Sequence, residues 1–84
     1  MIEFFNQIKK QITSEINVED IILIDNSSLH SKHKSFDPKK FHLKIIIRSK
    51  DLKKMNKIVA HKKIFSILKN EMVNQIHALE IEIN

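Results

Sequence analysis

Histidine is the residue type of this sequence best suited to chemistry, because the chain has five histidines and no cysteine. An imidazole can move protons near neutral pH or bind a transition metal. Without cysteine the chain can supply neither a thiolate ligand nor a thiol nucleophile. The five histidines are His30, His33, His42, His61 and His77. Any site with thiolate ligands that they join must therefore take its thiolate sulfur from another molecule.

Complete enzymatic motifs are missing from the sequence. The segment from Asp25 to His30 holds the residue types of a hydrolase triad, but triad members are brought together by tertiary structure and rarely lie in one short cluster. Glycine is absent, which excludes glycine-rich phosphate loops. His30 and His33, with Asp37 nearby, fall short of the four ligands of a structural zinc site. We therefore expect a protein that is not an enzyme.

The elements that must position the histidines follow from hydrophobic periodicity. Phe4, Ile8 and Ile12 recur at helical spacing, whereas Leu79, Ile81 and Ile83 alternate as in a half-buried strand. The predicted elements are a helix over residues 2–16, a strand over 18–25, a loop over 26–40, a strand over 41–48, a helix over roughly 56–73 and a strand over 77–83.

These elements predict an α+β fold of the order α-β-β-α-β, with residues 1–84 forming a single domain. The first two strands should pair as an antiparallel hairpin. A right-handed crossover through the second helix should place the third strand parallel to the second. The expected architecture is a three-stranded mixed sheet with the helices on one face.

Three histidines fall on predicted elements. His42 points away from the apolar face of the second strand, which indicates a solvated or merely packed side chain on the open sheet face. His61 lies beside Lys62 near the start of the second helix and suits a surface or packing role. His77 opens the third strand, in register with Leu79, and is predicted to be half-buried at the edge of the domain. A hydrogen-bonded edge histidine is the structural alternative for His77.

The net charge of +5 comes almost entirely from lysine, since Arg48 is the only arginine. Such a field favours an acidic protein surface or nucleic acid, although lysine-rich surfaces are usually only solvated. All five aromatic residues are Phe, and only Phe36 lies outside the predicted core positions, so stacking platforms for bases are scarce. The candidate nucleic-acid contacts around the second helix are Lys50, Lys53, Lys54, Lys57, Lys62 and Lys63.

Localisation signals are also missing. The apolar stretches fall well short of the roughly 18 residues of a membrane span. The amino terminus carries Glu3 where a signal peptide needs positive charge. We expect a cytoplasmic protein that does not enter a membrane.

Four segments in the right order resemble BolA-like proteins. Ile76-His77-Ala78-Leu79, after the second helix, closely resembles the His-Ala-Leu signature of that family. Asp25-Asn26-Ser27-Ser28-Leu29-His30 is similar to its loop entry, and residues 42–49 resemble its second strand. Ala60-His61-Lys62 matches the family's Arg-His-Arg at the central residue only. The segment Leu52-Lys53-Lys54-Met55 departs from the family, because it lacks the Phe-x-Gly-Lys turn.

The resemblance implies a fold related to the second type of KH fold and a function that depends on a partner. BolA-like proteins pair with monothiol glutaredoxins and share a bridging [2Fe-2S] cluster, for which the glutaredoxin and glutathione supply sulfur. A histidine at the position of His77 is the ligand from the BolA-like chain. A loop residue is the second ligand, which here implies His30, with His33 as the alternative. The implied role is iron-sulfur cluster trafficking or iron and redox regulation.

General chemistry agrees with that implication. Imidazole replaces two thiolates at one iron of Rieske centres, so a cysteine-free chain can contribute that half of a cluster. Imidazole binds iron in its neutral form, and histidine ordinarily titrates near pH 6.5, so cluster retention should weaken in mild acid.

A second function remains open, because some bacterial BolA-like proteins act as transcriptional regulators in stress responses. The six lysines named above would then contact DNA phosphates, with steep salt dependence. Without its partner we expect the chain to be a monomer or a weak homodimer.

Overall fold

The structure is a computed structural model, and it describes residues 2–26 and 41–84. Its elements are α1 (Ile2–Glu15), β1 (Asp20–Asp25), β2 (Phe41–Arg48), α2 (Lys50–Lys53), α3 (Lys57–Ile67), α4 (Lys69–Asn74) and β3 (Ile76–Ile83). In these two stretches, no helix combines the length and the apolar character needed to cross a membrane.

The three strands form one sheet in the order β1-β2-β3. β1 runs antiparallel to β2, with Ile21 opposite Ile47 and Leu23 opposite Ile45. β3 runs parallel to β2, with Leu79 opposite Leu43. The mixed sheet predicted from the sequence is therefore confirmed, and β2 is its central strand.

The hydrophobic core lies between the helices and one face of the sheet. Alternate residues of β2 are buried on that face, and α1 covers them with apolar residues at helical spacing. The fully or almost fully buried members from these two elements are Phe4, Ile8, Ile12, Leu43, Ile45 and Ile47. The opposite sheet face carries Ile22, Lys44 and Glu80 and is not covered by any described element. The helices thus lie on one face, as predicted.

The helical region between β2 and β3 differs from the single helix predicted over residues 56–73. Ser49 caps a short extra helix, α2, by accepting a hydrogen bond from the backbone N–H of Leu52. Asn56 begins α3 by accepting from the N–H of Ile58 at 2.8 Å. Leu68 then leaves the helical conformation, with φ −97° and ψ 19°, and separates α3 from α4. Local polar caps and one irregular residue therefore divide the crossover into three helices.

The buried face of α3 also differs from the predicted one. Ala60, Ile64 and Leu68 follow one another at four-residue spacing, and each is at most 1% exposed. The helical spacing of the apolar residues in the sequence predicts that Ile58 and Phe65 mark the apolar face of this helix, but Ile58 is 66% exposed and Phe65 is 37% exposed. The core-facing stripe is therefore rotated relative to the prediction, and two large apolar side chains remain at the surface.

The turns are made without left-handed backbone. The sequence contains no glycine, and no residue of the described stretches has a positive φ angle. Within each of the two described stretches, caps and ordinary right-handed or extended residues therefore connect the elements.

Candidate partner-binding site at His77

His77 occupies an irregular position at the start of β3. The register along β2 and β3 passes from Phe41 opposite Ile76 directly to His42 opposite Ala78, so His77 has no partner on β2. An extra residue of this kind forms a β-bulge, which redirects a side chain and often lies beside a functional site. The sequence predicts that His77 is half-buried and in register with Leu79. This prediction is wrong, because the bulge removes His77 from the two-residue alternation of the strand, and its side chain is exposed.

A second imidazole lies behind His77. The rings of His42 and His77 have centroids 4.9 Å apart and planes tilted by 41°. His42 is only 8% exposed, so it is a packed residue, one of the two roles predicted for it. The exposed histidine therefore rests on a buried histidine of the neighbouring central strand.

Backbone hydrogen bonds hold the chain on both sides of the pair. The N–H of Asn26 donates to the carbonyl oxygen of His42 at 2.7 Å, which ties the end of β1 to β2. The N–H of Phe41 donates to the carbonyl oxygen of Gln75 at 2.8 Å, next to the bulge. The N–H of Gln75 in turn donates to the carbonyl of Glu71 at 2.8 Å and closes α4. The backbone that presents His77 is thus fixed at three points.

The segment between the first two strands is attached at the same end of the sheet as the histidine pair. Asn26 and Phe41, the described residues on either side of it, both make hydrogen bonds next to the histidine pair. The predicted loop ligands His30 and His33, and Phe36, lie outside the described residues. The structure therefore places the two attachment points of the loop near His77.

The six candidate lysines lie elsewhere and are all exposed. They sit on α2, at its end, or on α3, and two of them, Lys53 and Lys57, line a groove with the end of β3. His77 and Ile83 are six residues apart along β3, which corresponds to roughly 20 Å of extended chain. The structure therefore separates His77, at the beginning of β3, from Lys53 and Lys57, beside its end.

A groove of about 500 Å³ runs between the α2–α3 region and the end of β3. Lys53, Lys57 and His61 line it, while Lys54, Lys62 and Lys63 do not. The ring nitrogen Nδ1 of His61 lies 2.8 Å from the carbonyl oxygen of Lys57, which anchors this imidazole to its own helix. His61 is thus a groove-lining residue, and not a neighbour of His77.

A shallower depression of about 360 Å³ lies on the outer side of α3, around Ile58, Lys62 and Phe65. Phe65 was assigned to the core from its spacing, so its exposure is a feature that the sequence reasoning missed.

The bulge at His77, in contrast, has a signal in the sequence. Ile76 and Leu79 are both apolar and three residues apart, which an unbroken two-residue alternation cannot place on one face.

Within residues 2–26 and 41–84, no group of three or more His, Cys, Asp or Glu side chains is arranged to hold a metal ion. The described part of the chain therefore offers the His42–His77 pair of imidazoles but no larger group of such ligands.

Two solved structures with the same fold are plant proteins. The BolA domain of SufE1 from Arabidopsis thaliana superposes with a TM-score of 0.78 over 93% of this chain and 86% of that chain, at 23% identity. BolA1 from Arabidopsis thaliana gives a TM-score of 0.77 over the same shares, also at 23% identity. These likenesses show the fold and confirm its predicted class.

Curated relatives include proteins from bacteria and eukaryotes. The DNA-binding transcriptional regulator BolA of Haemophilus influenzae is 28% identical over 76 residues, which cover 90% of this chain and 71% of that protein. A BolA-like protein of Dictyostelium discoideum is 34% identical over 77 residues, which cover 90% of this chain and 65% of that protein. The model of the family described as BolA-like protein matches residues 12–84. The chain therefore belongs to the BolA-like protein family.

Proposed function

We propose that this chain is a non-enzymatic partner of a monothiol glutaredoxin and that it contributes His77 to a shared, bridging [2Fe-2S] cluster. The second ligand from this chain is His30, or alternatively His33. The complex serves iron-sulfur cluster trafficking or iron and redox regulation. The single observation that carries the proposal is the exposed imidazole of His77, on a bulge at the edge of the sheet.

The donor set of the chain fits half of such a cluster. Imidazole is an established ligand for one iron of a two-iron centre, and this chain has imidazoles but no thiolate. The remaining ligands are thiolates, so the glutaredoxin and glutathione would supply them. When bound, the cluster would supply one-electron redox chemistry or a transferable iron-sulfur unit.

The chain's own contribution is to present the ring. The bulge directs His77 out of the strand alternation, and the buried His42 lies against one side of its ring. The hydrogen bond from Phe41 to Gln75 restrains the backbone beside it. A ligand presented in this way loses little conformational freedom when a partner approaches.

Titration of the purified chain with a cluster-loaded monothiol glutaredoxin tests the proposal. We expect the visible absorption and circular dichroism spectra to change, and we expect His77→Ala to abolish the change. His61→Ala is the matched control, because His61 lies on α3 and lines the distant groove. A spectral change that survives in His77→Ala would contradict the assignment of His77.

A pair of single variants distinguishes His30 from His33 as the loop ligand. If His30 is the ligand, His30→Ala should perturb the spectrum of the complex while His33→Ala leaves it unchanged. The opposite pattern would assign His33.

DNA binding is the second candidate function, favoured by the exposed lysines of α2 and α3 and by the name of the Haemophilus relative. A duplex-binding assay at several salt concentrations tests it, since removing one lysine–phosphate interaction lowers the salt slope by about one. Reversal of Lys53 and Lys54 to Glu should reduce binding and slope together. Absence of binding at low salt would remove this function.

A further inference from the structure

Among residues 2–26 and 41–84, no strand pairs with the outer edge of β3. β3 is the last strand of the order β1-β2-β3, and among the described residues only β2 pairs with it. The strand is eight residues long, so its outward N–H and C=O groups could accept another extended segment. Length and openness make this edge a candidate interaction surface.

The core side of β3 is incompletely covered along the same edge. Ile45 and Ile47 of the central strand are fully buried, whereas their partners Ile81 and Ile83 are only partly buried. Both partly buried residues line the groove of about 500 Å³, with Leu52 and Met55. The groove therefore has an apolar floor at the position where a fourth strand would place alternate side chains.

The two sides of this edge carry opposite charges. Lys53 and Lys57 line the helical wall, and in the described stretches neither forms an ion pair with Asp or Glu. Glu80 and Glu82 extend onto the open face and border the groove from that side, together with Lys44, which contacts them at 3.4 and 3.6 Å. An added strand would thus meet unpaired positive charge on the helical wall of the groove and two glutamates, partly neutralised by Lys44, on its open side.

This arrangement disfavours a second copy of the chain as the occupant. Pairing two β3 edges would bring the Glu80 and Glu82 side chains of both copies onto neighbouring strands, where like charges are destabilising. Nucleic acid is disfavoured as well, because an apolar floor beside two glutamates opposes a phosphate backbone.

We propose that the outer edge of β3 binds an extended segment of a partner protein by strand addition. The segment has apolar side chains and one acidic side chain facing the groove, and basic or uncharged side chains facing Glu80 and Glu82. The backbone of β3 supplies the affinity, and the groove with Lys53 and Lys57 selects the sequence. This surface is distinct from His77, and its occupation does not depend on a cluster.

Fluorescein-labelled eight-residue peptides provide the test. The probe Thr-Val-Lys-Val-Lys-Val-Thr-Asp, and its reversed sequence for the other strand direction, place valine and aspartate on one face and lysine on the other. The charge-exchanged control is Thr-Val-Asp-Val-Asp-Val-Thr-Lys, with its reversed sequence. We expect fluorescence polarisation to show at least about tenfold tighter binding of one probe than of both exchanged peptides. Equal binding of probe and exchanged peptides, or no binding of either probe, would overturn the proposal.

N-methylation of the bound probe tests strand pairing without altering the protein. Alternate amides of an extended peptide point to opposite edges, so only one of the two alternating sets can bond to β3. Methylation of that set should abolish binding, and methylation of the other set should preserve it. If both methylated peptides bind as well as the parent, backbone pairing is absent and the proposal fails.

Two lysine reversals locate the binding site. Lys53 lines the groove, whereas Lys62 lines only the depression on the outer side of α3, and both are exposed on basic helices. Lys53→Glu should weaken the probe about tenfold or more, and Lys62→Glu should change its affinity less than about twofold. Equal losses in the two variants would indicate general basicity and would contradict the proposed site.

Discussion

The imidazole of His77 lies against the imidazole of His42, with ring centroids 4.9 Å apart. The two residues belong to neighbouring parallel strands, one exposed at a bulge and the other buried on the central strand. This contact links the candidate ligand to the interior of the protein. A substitution of His42 should therefore change the environment of the His77 side chain.

His42→Ala should lower the free energy of unfolding by about 1–2 kcal/mol, because it removes a buried ring and its ring–ring contact. It should also shift the NMR signals of the His77 side chain. Chemical denaturation and heteronuclear NMR spectra measure the two effects. His61→Ala, at a partly exposed position on α3, should cost less than about 1 kcal/mol and leave His77 unchanged. Unaltered His77 signals in His42→Ala would refute the coupling.

Ser49→Ala should destabilise the protein by about 1–3 kcal/mol. The Ser49 hydroxyl is fully buried, donates to the carbonyl oxygen of Asn17 at 2.7 Å and accepts from the N–H of Leu52 at 3.2 Å. Its loss leaves two backbone groups without a partner. Ser14→Ala is the control, because that exposed hydroxyl bonds only to a carbonyl of its own helix. Similar midpoints for Ser49→Ala and the unaltered protein in urea would show that these bonds are replaceable.

Ile64→Ala and Ile58→Ala compare the two faces of α3. Ile64 is fully buried, so its truncation should cost about 2–5 kcal/mol. Ile58 is 66% exposed, and its truncation should change stability by less than about 0.5 kcal/mol. Thermal and denaturant unfolding measure both variants. A larger loss of stability for Ile58→Ala than for Ile64→Ala would show that Ile58 faces the core, as the sequence predicts.

Glu71→Gln should raise stability by about 1 kcal/mol. Glu71 is buried and accepts a hydrogen bond of 3.4 Å from Nε2 of Gln11, while its Oε1 and the Oε1 of Gln11 are buried without hydrogen-bond partners among the described residues. A glutamine at position 71 could donate to that Gln11 oxygen and accept in return. Glu71→Ala should instead destabilise the protein, because it leaves the side-chain amide of Gln11 without its acceptor. A loss of stability in Glu71→Gln would show that the carboxylate is required.

Strand patterns predicted the sheet well because burial on one face leaves a strict two-residue alternation. The alternation in the second strand places Leu43, Ile45 and Ile47 on one face, and all three are buried. The face of α3 was harder to predict, because Ile58, Ile64 and Phe65 give no single apolar stripe. Only packing against α1 and the sheet decides that Ile64 is inside and Phe65 outside.

The sequence predicts which residue forms the candidate site, His77, but not its bulge or its contact with His42. A histidine at the start of β3 is visible in the sequence, whereas its bulge depends on how β3 aligns with β2 across the crossover. The partnership of His42 with His77 depends on the same alignment. The spacing of Ile76 and Leu79 indicates only that the two-residue alternation breaks, whereas the residues that then meet are set by the alignment of two strands.

The absence of glycine, which the turns of the described stretches do not require, affects the unfolded state as well. Glycine has more accessible backbone conformations than any other residue, so a chain without it loses less backbone entropy on folding. None of the described turns would gain from the freedom of glycine, because none adopts a positive φ angle. For a domain of this size, with a modest core, a less heterogeneous denatured ensemble is a source of stability that leaves no contact in the folded structure.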